Sequence, residues 1–222
     1  MDSKKKHTNK TLVLILVLAS LAAVIIMFAA IAVLKDTSGK PSESDKQTLN
    51  GYAIPDYVDV QLIDVDGHAR RGVKLEGGVK DIVIHYVANP MSTAQNNRDY
   101  FNQETTTVSS HFVIGLEGEV IQCVPLDEKS SASNDRNRDT ISIEVCHEDE
   151  TGKFNDATYE SLVKLTAWLC RAANLDETHI IRHYDITGKL CPLYFVEHED
   201  EWEMFKTDVS EYMQNITLVK AN

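Results

Sequence analysis

Residues 11–34 read TLVLILVLASLAAVIIMFAAIAVL and carry no charged side chain. As a helix rising about 1.5 Å per residue, this stretch spans roughly 36 Å, more than the ~30 Å hydrocarbon core of a bilayer. A transmembrane anchor helix is the expectation. Lys4, Lys5, Lys6 and Lys10 precede it. The positive-inside rule then puts residues 1–10 in the cytoplasm as a short tail and everything after Lys35 outside. Ala30–Ala32 resembles a signal cleavage site, but a signal peptide's apolar region runs only about 7–15 residues. An uncleaved anchor is therefore expected over a cleaved, secreted form.

The rest of the chain must fold on its own terms. Residues 35–49 are polar, with Gly39, Pro41 and several serines, and read as a linker from membrane to domain. Residues 50–222 are long enough for one domain of ordinary size. Of 22 basic and 34 acidic residues, five lysines and one aspartate lie in residues 1–35, leaving 17 and 33, a formal net of −16. So acidic a body disfavours nucleic acid, which is bound by neutralising phosphates, and disfavours lying flat on an anionic membrane. Cys123, Cys146, Cys170 and Cys191 are too few and too scattered for a disulfide framework. Apart from Cys191, they read as small buried hydrophobes, with one disulfide the alternative outside the cell.

Strand signals fall at 58–65, 80–87, 139–148 and 179–184, and two apolar runs within 111–126 flank Glu117-Gly118 as a hairpin. Helical spacing appears weakly over 93–103 and clearly over 156–174. A last helix is expected over about 199–213, burying Trp202, Phe205, Val209 and Tyr212. Trp168 falls off the main stripe of its helix. Strands alternating with helices, with one hairpin interrupting, predict an α/β domain: a mixed, mostly parallel central sheet flanked by helices. Sites in such sheets form at the C-terminal ends of strands.

The segment RHYDITGKLCP, residues 182–192, reads as a strand end running into a loop, because Gly188 and Pro192 oppose a helix there. If that loop folds back, His183 and Cys191 meet. His85, near the end of the 80–87 strand, would complete two imidazoles and one thiolate, the three-ligand set of a catalytic zinc with an open fourth position. The competing reading is a strand histidine with a core hydrogen bond. In ISIEVC, alternation puts Glu144 on the face opposite Ile143 and Val145. A glutamate in a β-branched strand needs a partner, either as a general base or in a structural ion pair. Lys189 is either an oxyanion donor or a solvated loop lysine. His147, His179 and His198 read as surface residues.

The segments DIVIHYVAN, YFNQ, SSHFVIGLEGEVIQCVPL, DTISIEVCHEDETGKFNDATYESLVKLTAWLC and IIRHYDITGKLCP follow one another in the order of a known family. Over roughly residues 78–198, the chain resembles the zinc-dependent N-acetylmuramoyl-L-alanine amidases of the type related to peptidoglycan recognition proteins. The resemblance implies that fold, one Zn2+ per chain on His85, His183 and Cys191, and peptidoglycan as substrate. It further implies Glu144 as general base, Lys189 as oxyanion donor, and His111 at the border of the site as a substrate contact. Two departures stand out. Ser110 occupies a position where some relatives carry a catalytic tyrosine. The stretch KSSASNDRN, residues 129–137, replaces a Trp-His or Tyr-His pair that touches substrate in many relatives. Two rival readings remain: a muropeptide-binding module without catalysis, and a cysteine peptidase using Cys191 with His183.

Overall fold

A computed structural model describes residues 47–65 and 68–221. The expected cytoplasmic tail, the anchor over 11–34 and most of the 35–49 linker lie outside the described residues. Among the described residues, no helix is long and apolar enough to cross a membrane. The folded domain starts before the expected boundary at residue 50. Its first strand, β1 (Thr48–Leu49), pairs antiparallel with β2 (Tyr52–Ala53).

The main sheet has six strands: β3 (Val58–Val60), β4 (Asp81–Tyr86), β5 (Phe112–Ile114), β6 (Val120–Gln122), β7 (Thr140–Val145) and β8 (Ile180–Arg182). Their order is β3-β6-β5-β7-β4-β8. Every neighbouring pair is parallel except the β5–β6 hairpin, so the sheet is mixed and mostly parallel, as expected. Gly118 turns the hairpin with φ at +79°, a left-handed conformation that glycine adopts without strain. A Cβ there would also stand 2.8 Å from the Ala157 carbonyl oxygen.

Alternation along the strands divides the sheet into two apolar faces. Ile82, Ile84, Phe112, Ile114, Ile141 and Ile143 face a large core. Against it pack Leu162 and Leu169 of α2 (Asp156–Ala173) and Phe205 and Val209 of α5 (Glu199–Asn215). On the other side, Val113 and Ile121 meet Ala94 and Phe101 of α1 (Ala94–Phe101). Strong local signals fix α2. Asn155 caps its start by accepting from the Thr158 N–H, Asp156 and Arg171 complement its dipole, and Asn174 ends it in the left-handed conformation. Glu199, Asp200 and Glu201 do the same for the start of α5.

Three expectations need correcting. The strand expected over 58–65 stops at Val60, because Arg98 of α1 draws the Gln61 and Leu62 carbonyls to its guanidinium. The stripe of α5 continues from Val209 to Met213, so Tyr212 is 38% exposed instead of buried. The chain after β8 is helical rather than a loop. His183 opens the short helix α3 (His183–Thr187), and Gly188 tolerates this because it lies one step past the end, at φ +77°. A second short helix, α4 (Leu193–Glu197), follows Pro192. Trp202 and Trp168 are both buried in the core.

Candidate active site

The C-terminal ends of β4, β7 and β8 lie side by side and deliver the candidate residues. His85 is the fifth residue of β4 and Glu144 the fifth of β7, and the two are register partners. Their side chains emerge on the same face, with His85 Nδ1 4.0 Å from Glu144 Oε1. The strand β8 ends on Arg182, which holds the next turn in place. Its guanidinium donates to the Phe195 carbonyl, Glu199 and Asp185, and its backbone N–H donates to Asp185. The chain then folds back as expected: the Tyr184 N–H donates to the Cys191 carbonyl at 3.0 Å. That closure brings His183 and Cys191 together.

His85, His183 and Cys191 each offer one ligand atom, and these atoms lie within 4.8 Å of one another. Cys191 Sγ is 3.8 Å from His85 Nδ1, and the two imidazole centroids are 4.7 Å apart. Ligand atoms around a tetrahedral zinc stand roughly 3.3–3.6 Å apart, given Zn–N near 2.0–2.1 Å and Zn–S near 2.3 Å. The donor set therefore fits a divalent ion such as zinc. Of the five buried side-chain atoms that lack a hydrogen-bond partner among the described residues, two belong to this group, His183 Nδ1 and Glu144 Oε2, as expected of groups that face a ligand.

The electrostatics agree. Burial, the neighbouring His183 and the Lys189 charge hold His85 well below the ordinary histidine range. Burial and Lys189 also lower His183. Both imidazoles are neutral at physiological pH, the form that ligates metals. Burial pushes the Cys191 thiol up to about 12, helped by Glu144, while a backbone hydrogen bond from Tyr86 and the Lys189 charge oppose the rise. Without a cation beside it, this sulfur is a protonated thiol at neutral pH and a poor nucleophile. A coordinated cation deprotonates such a thiol outright. Glu144 keeps 19% side-chain exposure, although its Oε2 is buried. Burial pushes its carboxyl up to about 8, with Lys189 pulling it back down. Lys189 itself is exposed on the loop after α3, close enough for its charge to act on His85, His183 and Glu144.

His111 is not brought to this group. It is fully buried, its Nδ1 accepts from the Ser142 N–H at 3.0 Å, and its Nε2–H donates to the Glu128 carbonyl at 2.9 Å. That is the environment of a structural histidine, and it replaces the expected substrate contact. His147, expected on the surface, is also buried, its ring centroid 5.1 Å from that of Tyr86 at a tilt of 31° and its Nδ1 2.7 Å from the Asp149 carbonyl oxygen. Cys123, Cys146 and Cys170 are free and buried, the small hydrophobes that were expected. Two residues went unnoticed in the sequence: Ser133, whose Oγ is 3.1 Å from His85 Nε2, and Asn134, whose Oδ1 is 3.0 Å from His183 Nε2. Both lie in the 129–137 stretch, whose only visible signal was its departure from the family pattern.

Fold and site together define an α/β protein with a two-histidine, one-cysteine ligand group beside an acid at the ends of parallel strands. Residues 76–193, just over half of the chain, match the family model described as N-acetylmuramoyl-L-alanine amidase, and the chain belongs to that family. It is 32% identical over 177 residues to the N-acetylmuramoyl-L-alanine amidase CwlL of Bacillus licheniformis, covering 72% of this chain and 48% of that one. The amidase BlyA of Bacillus subtilis is 33% identical over 181 residues, with the same two coverages. The chain thus spans about half the length of the curated relatives it matches. Among solved structures, a mutant endolysin from Bacillus subtilis superposes with a TM-score of 0.59 at 26% identity, covering 68% of this chain and 97% of that one.

Proposed function

We propose that this chain hydrolyses the amide bond between the lactyl carbonyl of N-acetylmuramic acid and the amine of L-alanine in bacterial peptidoglycan, using one zinc ion held by His85, His183 and Cys191. The observation that carries this reading is the convergence of those three ligand atoms beside the register-paired Glu144. A zinc ion there would supply Lewis acidity to the scissile carbonyl. Glu144, whose carboxyl burial pushes up to about 8 in the metal-free protein and which a cation held beside it would return to the carboxylate form, takes a proton from the attacking water and passes it to the leaving amine. Lys189 donates to the oxygen on which negative charge develops. Family membership supports the choice of bond. The protonated Cys191 removes the main attraction of the cysteine-peptidase reading. The test is release of new L-alanine amino termini from purified peptidoglycan. Release that stops on chelation and returns with zinc supports the proposal. Binding to the wall without release supports a recognition module instead.

We further propose that residues 11–34 anchor the chain in the bacterial membrane as a single span, with residues 50–222 outside. The uncharged run and the preceding lysines support this. Fractionation with the membrane, together with cleavage of the domain by protease added to wall-stripped cells, is the expected result. Recovery of the chain in the culture medium, shortened at its N-terminus, would show a cleaved signal instead.

A further inference from the structure

One short segment braces both candidate metal-binding imidazoles. Ser133 is fully buried with its hydroxyl on His85 Nε2, and its neighbour Asn134 places its side-chain oxygen on His183 Nε2. An amide oxygen only accepts, so this contact puts the His183 proton on Nε2. His183 Nδ1, buried and otherwise without a partner, then presents its lone pair. The same arrangement at His85, with the Ser133 hydroxyl accepting, leaves Nδ1 to face the Cys191 sulfur at 3.8 Å. An amide turned over would donate from its nitrogen and move the His183 proton to Nδ1, where it would block ligation.

The segment is built to hold this pose. Asn134 sits at φ +52°, a left-handed conformation uncommon outside glycine that asparagine tolerates. The Asn137 side-chain oxygen accepts from the N–H groups of both Ala132 and Ser133, at 3.0 and 2.6 Å. Arg136 bonds Asp139 and, at the start of β4, Asp81. The Thr140 hydroxyl donates to the Arg136 carbonyl. The brace is thereby fastened to the two strands that carry His85 and Glu144.

We infer that Ser133 and Asn134 are positioning residues that hold His85 and His183 as Nε2–H tautomers with both Nδ1 lone pairs left free to ligate, so that the ligand group is formed before an ion arrives. The inference rests on the metal-centre reading above for its purpose. Its tautomer assignment stands without that reading.

The test uses the full chain in detergent, labelled with 15N at histidine and stripped of metal, at about pH 8, above the ordinary histidine range. Ring nitrogen shifts report each tautomer, and competition with a chromophoric chelator reports zinc affinity. Asn134→Gly keeps the left-handed backbone and removes only the amide, whereas Asn134→Asp keeps an acceptor. Both histidines are expected as Nε2–H in the unsubstituted chain. Asn134→Gly is expected to mix the His183 tautomers and weaken zinc binding about 10–100-fold, and Ser133→Ala to do the same through His85. Asn134→Asp should restore affinity to within about threefold, which a merely structural loss would not. Finding either histidine as Nδ1–H, or zinc affinity unchanged in both Asn134→Gly and Ser133→Ala, overturns the inference. A chain that holds both Nε2–H tautomers and binds no zinc overturns the metal-centre reading and leaves the tautomer assignment supported.

Discussion

His85 and Glu144 occupy one register position on adjacent parallel strands, and their side chains approach to 4.0 Å between Nδ1 and Oε1. Strand pairing alone sets the carboxylate beside the imidazole, so neither loop motion nor a distant element is needed to bring them together. Changing Glu144 to Gln keeps shape and removes the base. Amide hydrolysis is expected to fall about 10²–10⁴-fold. Stability should move the other way in metal-free protein. Burial raises the folded carboxyl from 4.5 to about 8, so the unfolded chain releases its proton first as pH rises between those values, and folding loses stability over that window. The substituted protein escapes this loss and should be more stable by on the order of 1–2 kcal/mol near pH 7.5, allowing for the carboxyl's partial exposure. Urea unfolding of both proteins at about pH 5 and 7.5 checks the widening gap.

The opposite sign applies at His111. Burial lowers its folded pKa from 6.5 to about 4. Between those values the unfolded chain binds the extra proton, so the histidine's contribution is complete above about pH 6.5 and is lost as pH falls towards 4. Changing His111 to Gln should cost about 1–3 kcal/mol at neutral pH by leaving the Ser142 N–H or the Glu128 carbonyl poorly matched. The cost should shrink steadily below about pH 6.5. Equilibrium unfolding at several pH values reads this directly. A cost independent of pH would show that His111 does not titrate as a buried group.

Local patterns offered the ligand group as one of two readings, and the resemblance to the amidases chose it. His85 and Glu144 sit in β-branched runs whose alternation fixes their face. His183 and Cys191 share one short segment, punctuated by Gly188 and Pro192. The brace was not legible. Ser133 and Asn134 meet their histidines across 48 and 49 residues, at the start of a short 3-10 helix that opens on a left-handed asparagine, and no period or spacing encodes such a contact. His111 was misjudged for a related reason. A polar side chain is buried only where tertiary structure supplies partners, and the Glu128 carbonyl and Ser142 that satisfy His111 come from other elements. The helix at His183–Thr187 was missed because Gly188 was read as an interior residue instead of an end signal.

Lys189 is exposed, yet its charge reaches Glu144, His85 and His183. Changing it to Ala should leave the unfolding midpoint within about 0.5 kcal/mol of the original. Turnover should fall about 10²–10³-fold, as for loss of one oxyanion donor. Steady-state kinetics on a soluble muropeptide separates the effect: a change confined to KM would make Lys189 a binding residue only.

Asn155 joins three elements. Its side-chain oxygen caps α2 through the Thr158 N–H, and its amide donates to the Leu116 carbonyl and to Glu148. Changing it to Ala should cost about 1–2 kcal/mol, the upper range for a cap because the two amide contacts are lost as well. Activity per folded molecule should be unchanged. Thermal unfolding with a parallel activity assay checks both halves.

The most direct test is a zinc titration of chelator-stripped full chain, read as new L-alanine amino termini released from purified peptidoglycan. Release is expected to be absent in the stripped protein and to rise with zinc to a plateau at one equivalent per chain. It should stay absent after His85→Ala or Cys191→Ser. Full release from the stripped protein, or release that survives either substitution, would contradict the proposed metal centre.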